Sequence, residues 1–175
     1  MTTFSTQPIR AVITDWCGTM ESNVVPRLKI MAQVCTELNL PVLTEEQEQK
    51  ISGMSQAQAI QLMLGSRHED ADLRSRFIKI YAQKYKRDIN QLIIKPETLH
   101  WITTHMKFCL FTNGSKSFVN RNLDQYNLHH AFIATATPDD FPEKPAPDML
   151  INLAKQINVP CEACLAVGDH PYDLI

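Results

Sequence analysis

The sequence lacks any long uninterrupted apolar run, and its charges nearly cancel. The longest apolar stretch is only a few residues, against the roughly 20 that a membrane-spanning helix needs. The formal net charge at pH 7 is -2, so no positive excess would attract nucleic acid or an anionic membrane. The opening residues "MTTFSTQPIRAV" show no charged segment followed by a long apolar one, as a secretory signal would. We therefore expect a cytoplasmic protein with neither nucleic acid nor membrane as a partner.

The cysteines do not form the pattern of a disulfide framework or a zinc site. There are five, an odd number, spread through apolar segments: Cys17, Cys35, Cys109, Cys161 and Cys164. This pattern favours buried thiols in a reducing compartment. The last two form a CxxC pair, but zinc needs four ligands and no second pair accompanies them. The pair precedes a predicted strand rather than a helix, so we interpret it as structural or incidental.

The chain has no internal repeat, and its 175 residues allow one domain with a sizeable core, or a core with a small added module. Residues 21–92 read as a wholly helical block. Thr44, followed by acidic residues, has the character of a capping box and should begin a helix. Within the block, helices are predicted at 26–39, from Thr44 to about Ile51, at 55–64 and at 70–85.

Outside that block, strands alternate with helices. Strands are predicted at 9–14, 107–112, 131–137 and 164–169, and helices at 99–106, 115–128 and 146–158. Such alternation predicts an α/β fold with a doubly wound, Rossmann-like parallel sheet. The helical block interrupts this pattern after the first strand. We therefore expect residues 1–20 and 93–175 to form the core and residues 21–92 an inserted helical cap.

Chemically marked residues follow the carboxyl ends of these strands, the edge where open α/β sheets bind ligands. They are Asp15, Thr112 with Asn113, Lys144, Asp169 and Asp173. Taken singly, each has an ordinary explanation as a turn residue, a helix cap, a solvated lysine or an N-cap. Their order and placement together are the informative signal.

This set of groups suits phosphoryl transfer. A carboxylate such as Asp15 can attack phosphorus and split one displacement into two. Nearby acidic groups with a backbone carbonyl make an oxygen site suited to Mg²⁺, which would offset repulsion between Asp15 and an anionic substrate. A threonine hydroxyl, the lysine ammonium and the N–H groups that open the helix at 115 can bind the remaining phosphoryl oxygens.

These motifs resemble those of the haloacid dehalogenase superfamily of hydrolases, over nearly the whole chain. The family's first motif, Asp-x-Asp-Gly-Thr, corresponds to Asp15–Thr19, "DWCGT". Its second, a Ser or Thr ending the second strand, corresponds to Thr112, and its third, a lysine before a proline-rich helix start, to Lys144. Its fourth, Gly-Asp-x3-Asp, corresponds to Gly168–Asp173. The helical block lies where subclass I members insert a cap domain.

The resemblance implies a role for each matched residue. Asp15 would be the nucleophile, the carbonyl of Cys17 and the carboxylate of Asp169 would bind Mg²⁺ beside Asp15, and Asp173 would support the metal from outside. Thr112 and Lys144 would bind the phosphoryl group, together with Asn113 and Gly114. In the cap, Met54 and Gln56 are the candidates for contact with a small phosphate or phosphonate substrate.

Cys17 departs from the family pattern. In phosphatases of the family, an acid at this position protonates the leaving alcohol and later activates water. A thiol, with a reference pKa of about 8.5, is a poor proton shuttle, and such catalysis is typically worth roughly 100- to 10,000-fold. Phosphomonoester hydrolysis should therefore be slow, and a pseudoenzyme that only binds a ligand or partner is the alternative.

Two branches of the family manage without this acid. Haloacid dehalogenases generally lack the acid found here at Asp169, so we disfavour that branch. Phosphonoacetaldehyde hydrolases read Asp-Trp-Ala-Gly-Thr, the nearest match, and use a cap lysine that forms a Schiff base. Gln56 stands at that lysine position and cannot form an imine, and Lys50 lies about a turn or more upstream.

Family members continue beyond the position matching Ile175 with a further strand and a helix. We expect this core strand and helix to be missing here and the strand at 164–169 to leave an apolar edge. Such an edge is a template for association, so a homo-oligomer is a further expectation.

Overall fold

The computed structural model describes residues 8–22, 24–85 and 91–173. It divides into two compact units, Met1–Glu21 with Leu92–Ile175, and Ser22–Gln91. We call the first the sheet unit and the second the helical unit. In the part of the chain described, no helix is both long and apolar enough to cross a bilayer.

The described residues of the sheet unit form one parallel four-stranded sheet, as the sequence predicts. Its strands, in the spatial order β3-β2-β1-β4, are β1 (Ala11–Thr14), β2 (Lys107–Phe111), β3 (Ala134–Ala136) and β4 (Cys164–Val167). β1 pairs with β2 on one side and β4 on the other, with Thr14 opposite both Leu110 and Val167. The carboxyl ends of β1, β2 and β4 therefore meet at one edge.

Alternate residues of each strand pack against opposite layers, which explains why these buried strands read as continuous apolar runs. Ile13 of β1 joins a cluster with Met149 and Leu153 on one face. Val12 joins a cluster with Val119 and Leu123 on the other. The helices of this unit are α5 (Pro96–His105), α6 (Lys116–Tyr126) and α7 (Asp148–Gln156). The doubly wound α/β architecture is thus confirmed.

β4 lies at the end of the strand order and is poorly covered. Leu165 is 47% and Val167 37% exposed. Among the described residues, β4 pairs only with β1.

The described residues of the helical unit form four α-helices, which pack around their own apolar core. They are α1 (Val24–Glu37), α2 (Glu45–Ser52), α3 (Gln56–Leu64) and α4 (Ala71–Lys84). The core joins residues from all four, including Val34, Ile51, Ile60 and Phe77. Thr44 caps α2 as predicted, and the Gln47 side chain accepts the reciprocal bond of the capping box from the Thr44 N–H.

Element bounds differ from the predictions where local packing decides them. α5 begins at Pro96, three residues before the predicted start, because proline suits the first helical turn. The predicted strand 131–137 shortens to β3, because residues 129–131 form a 3₁₀ turn that buries Ala131.

Candidate active site

Asp15 stands directly after β1, at the edge where three strands end. Its backbone N–H donates to the carbonyl of Val167 at 2.8 Å, which ties the turn after β1 to the end of β4. The residue is 4% exposed. A carboxylate so deeply buried needs a charged partner.

Lys144 supplies that partner. Its Nζ lies 2.6 Å from Oδ1 of Asp15 and 2.6 Å from Oδ1 of Asp173, and the side chains of all three residues are buried. The same ammonium lies 4.3 Å from the centroid of the Phe111 ring. One cation therefore bridges two carboxylates that come from near opposite ends of the sequence.

The side chain of Asn113 holds the backbone of Lys144. Its Oδ1 accepts from the Lys144 N–H at 2.8 Å, and its Nδ2 donates to the Lys144 carbonyl at 3.2 Å. The sequence suggests Asn113 as a substrate-binding residue. In the structure its amide positions the lysine.

Asp169 and Asp173 follow β4 and approach Asp15. One oxygen atom from each of the three carboxylates lies within 4.8 Å of the other two. Oδ2 of Asp173 accepts from the His170 N–H at 2.9 Å, so both its oxygens already accept hydrogen bonds. Asp169 is exposed, and its Oδ1 accepts from the Thr19 hydroxyl at 3.0 Å.

Two glycines make room for these carboxylates. Gly18 has a φ of +89°, and a Cβ there would lie 2.2 Å from Oδ2 of Asp169. A Cβ on Gly168 would lie 2.3 Å from a carboxylate atom of Asp173. Backbone strain and the approach of Asp169 both require glycine at position 18.

Thr112 follows β2 and is 1% exposed. Its hydroxyl oxygen accepts from the Gly114 N–H at 3.1 Å. Among the described residues its hydroxyl hydrogen has no acceptor. It is therefore available to a ligand oxygen.

The first turn of α6 is less open than the sequence suggests. The Lys116 N–H donates to Oδ2 of Asp139 at 2.6 Å, and the Phe118 N–H donates to the Ser115 hydroxyl at 3.2 Å. Sequence reasoning missed Asp139, which follows β3 and lacks any motif. Two backbone donors expected to bind phosphoryl oxygens are thus engaged within the protein.

The site carries more negative than positive charge. Burial raises the pKa of Asp15 to about 6, an effect that the Lys144 ammonium opposes and the Asp173 carboxylate reinforces. Burial acts to lower the pKa of Lys144, but the carboxylates of Asp15 and Asp173 outweigh it and leave that pKa raised. Lys144 therefore stays protonated at neutral pH.

The residues present fit a divalent cation. Three carboxylates face one ammonium, which leaves an excess of two negative charges when all are ionised. Carboxylate oxygens are the ligands that Mg²⁺ prefers. Asp15 and Asp169 are the better placed to bind it, because both oxygens of Asp173 already accept hydrogen bonds.

The cysteines and Trp16 differ in how deeply the fold buries them. Cys17 is partly buried, and Trp16 is 0% exposed and packs in the core of the sheet unit. Cys35 and Cys109 are buried as expected, whereas Cys161 is exposed. Within the described ranges, no disulfide joins any two of the five cysteines.

Met54 and Gln56 belong to the helical unit. Met54 packs against that unit's core and its carbonyl accepts from Arg27 at 3.0 Å, whereas Gln56 begins α3 with an exposed side chain. Lys50, the lysine upstream of Gln56, pairs with Glu46 on α2 at 2.7 Å.

Comparison with known proteins gives one family. The model of the haloacid dehalogenase-like hydrolases matches residues 12–175. No curated protein sequence matches the chain.

Many solved structures share the fold. A predicted phosphoglycolate phosphatase from Haemophilus somnus superposes with a TM-score of 0.73 at 18% identity, over 97% of this chain and 81% of that one. A hydrolase from Pseudomonas syringae superposes at 0.69 with 26% identity, over 94% and 78%. A subfamily IA hydrolase of the same superfamily from Geobacter sulfurreducens gives 0.66 at 19% identity, over 94% and 80%.

Proposed function

The chain belongs to the haloacid dehalogenase-like hydrolases, and we propose that it is a Mg²⁺-dependent phosphatase. Its substrate would be a small phosphorylated or phosphonate metabolite, hydrolysed in the cytoplasm through a phosphoryl group carried on Asp15. The observation that carries this proposal is the Lys144 ammonium between Asp15 and Asp173, with the Asp169 carboxylate alongside.

The side chain of Asp15 has the features of a nucleophile. It is ionised above its raised pKa of about 6, and Lys144 orients one of its oxygens. An oxygen of Asp15 would attack phosphorus while the bond to the leaving group breaks, forming an acyl phosphate. Water then attacks that phosphorus, inorganic phosphate leaves and the Asp15 carboxylate is regenerated.

The substrate's phosphoryl oxygens would meet the remaining donors. Thr112 offers its hydroxyl hydrogen, and Lys144 offers positive charge to the transferring group. Asp15, Asp169 and the carbonyl of Cys17 would hold the Mg²⁺ ion, with Asp173 supporting it through Lys144. When bound, the ion neutralises charge on the transferring phosphoryl group.

Cys17 narrows the substrates that should react quickly. Without an acid at this position, the leaving group must depart without a proton from the enzyme. Esters of acidic alcohols and phenols, or phosphonates whose leaving carbanion is delocalised, meet that requirement. Simple alkyl phosphates should react slowly.

The comparisons support a phosphorylated metabolite as substrate. The Haemophilus somnus protein is a predicted phosphoglycolate phosphatase, and a small phosphate ester is the class we propose here. Met54 and Gln56 of the helical unit are our candidates for contacting the rest of the substrate. Gln56 cannot form a Schiff base. The proposal of a phosphonate substrate therefore rests on the motif "DWCGT" alone.

A turnover assay tests the proposal. The purified chain is incubated with Mg²⁺ and a panel of aryl phosphates, alkyl phosphates and aldehyde-bearing phosphonates, beside Asp15→Asn as the matched inactive variant. We expect turnover of the aryl phosphates that disappears with EDTA. Rates equal to those of Asp15→Asn on every compound would refute the proposal.

A pseudoenzyme is the second candidate, and Cys17 is the residue that favours it. In this case the site would bind a metal–phosphate ligand without turning it over. Cys17→Asp separates the two: if the variant hydrolyses alkyl phosphates while the native chain turns over neither alkyl nor aryl phosphates, the native chain is a binding protein.

A further inference from the structure

A buried glutamate outside the proposed machinery holds the loop that follows the nucleophile. Glu21 is 0% exposed. Its Oε2 accepts from the indole N–H of Trp16 at 3.0 Å, and its Oε1 accepts from the hydroxyl of Tyr126 at 3.0 Å. Trp16 is itself 0% exposed, and its ring centroid lies 6.2 Å from that of Tyr126.

The backbone of Glu21 closes the same loop. Its N–H donates to the carbonyl of Trp16 at 3.0 Å, and its own carbonyl accepts from the Gly18 N–H at 2.8 Å. The side-chain bond to the Trp16 indole is a third contact. These three hydrogen bonds of Glu21 therefore close the loop formed by residues 16–21.

This loop lies against Asp169, whose carboxylate we propose as a metal ligand. Gly18 contacts the carboxylate of Asp169 so closely that no Cβ would fit, and Thr19 donates to the same carboxylate. Trp16 separates Asp15 from Cys17, whose carbonyl we propose as a metal ligand. A shift of the Trp16 indole would displace its neighbours on both sides.

The chemistry of the position argues for a role beyond filling space. Burying a carboxylate costs free energy that an apolar side chain of similar size would not. Hydrogen bonds from the Trp16 indole and the Tyr126 hydroxyl offset that cost, and they give the buried indole N–H an acceptor. Tyr126 is the last residue of α6, so the carboxylate also joins the loop to that helix.

We infer that Glu21 is a positioning residue: through Trp16 and Tyr126 it fixes residues 16–19 against Asp169 and so sets the Mg²⁺ affinity of the site. The inference rests on the proposed function for the identity of the metal. The clamp itself, Trp16–Glu21–Tyr126, rests on contacts within the sheet unit alone.

Three variants test the clamp by Mg²⁺ titration calorimetry without substrate. Glu21→Leu removes both acceptors, and we expect about 10-fold weaker Mg²⁺ binding, the low end for residues that orient metal ligands. Glu21→Gln should stay within about threefold, because its amide can accept from Trp16 and donate to the Tyr126 oxygen. Asn122→Ala is the matched control: Asn122 is buried on α6 and donates from Nδ2 to the Phe118 carbonyl, and losing this bond should leave Mg²⁺ affinity unchanged.

Fluorescence adds a readout independent of the metal. The chain has two tryptophans, and Trp101 is 51% exposed, so Trp101→Phe leaves Trp16 as the sole tryptophan. We expect Glu21→Leu to shift the Trp16 emission and Asn122→Ala to leave it unchanged. If Glu21→Leu does not fold, Tyr126→Phe, which keeps the ring, replaces it, with about threefold weaker Mg²⁺ binding expected.

The outcomes separate the two claims. Unchanged Mg²⁺ affinity in a folded Glu21→Leu, or an equal loss in Asn122→Ala, overturns the positioning role. If the native chain binds no Mg²⁺, the proposed function fails, and an unshifted Trp16 emission in Glu21→Leu would then overturn the clamp separately.

Discussion

The ammonium nitrogen of Lys144 lies 2.6 Å from Oδ1 of Asp15, and both side chains are about 5% exposed. Removing one member of such a buried pair leaves the other charge uncompensated, which typically costs about 3–5 kcal/mol. Here two carboxylates depend on the same cation, because Asp173 contacts it at the same distance.

Lys144→Ala should therefore lose activity and stability together. We expect turnover to fall at least about 100-fold and the free energy of unfolding at pH 7 to fall by about 3 kcal/mol. Urea unfolding and the aryl phosphate assay measure the two effects. Lys155→Ala, an exposed lysine on α7, is the control, and a similar loss there would contradict this explanation.

The raised pKa of Asp15 predicts an unusual pH dependence of stability. Because the folded state holds this proton up to about pH 6, against 3.8 for the ordinary carboxyl, the folded state binds more protons between those values. The contribution of Asp15 to the free energy of unfolding therefore falls as pH rises from about 4 to about 6, by up to about 3 kcal/mol. Asp15→Asn should flatten this part of the metal-free stability profile, and unaltered curvature in the variant would contradict the assignment.

Added magnesium should offset the excess negative charge of Asp15, Asp169 and Asp173. Since Asp15 is ionised at pH 7 and largely protonated at pH 5, we expect MgCl₂ to raise the melting temperature more at pH 7 than at pH 5. Scanning calorimetry against NaCl of equal ionic strength measures the difference. An equal rise at both pH values would indicate that the metal does not contact this carboxylate.

Cys17→Asp should restore general acid–base catalysis. We expect alkyl phosphate hydrolysis to rise by about 100-fold or more, while aryl phosphates, whose leaving groups need no proton, gain less. Cys17→Ala should leave both rates near those of the native chain. A Cys17→Ala variant that loses activity would mean that the thiol itself takes part.

Gly18→Ala should impair the site beyond its backbone strain. Its Cβ would displace the Asp169 carboxylate, whereas a Cβ at Gly65, which also has a positive φ, would meet no atom within 4 Å. Both variants should lose about 1–3 kcal/mol of stability. Only Gly18→Ala should lose Mg²⁺ binding, by about 10-fold or more, and calorimetric titration of both variants distinguishes strain from displacement of the ligand.

The sequence alone predicted the parallel sheet and the strand ends that carry the candidate site. Buried parallel strands read as short apolar runs in the sequence. Asp15, Thr112 and Asp169 follow three of these runs. Local periodicity and spacing are properties of neighbouring residues, so a linear pattern contains them. The roles assigned to those residues remain predictions.

Tertiary structure alone decided the contacts within the site. Lys144 contacts Asp15, and Asn113 binds the backbone of Lys144. Glu21 accepts hydrogen bonds from Trp16 and Tyr126. These contacts join residues that lie from 5 to 129 positions apart in the sequence. Such contacts depend on strand register and loop shape, which bring distant side chains to one edge of the sheet. Glu21 reads as an ordinary surface acid in the sequence, and only the fold surrounds it with an indole and a phenol that make a buried carboxylate stable.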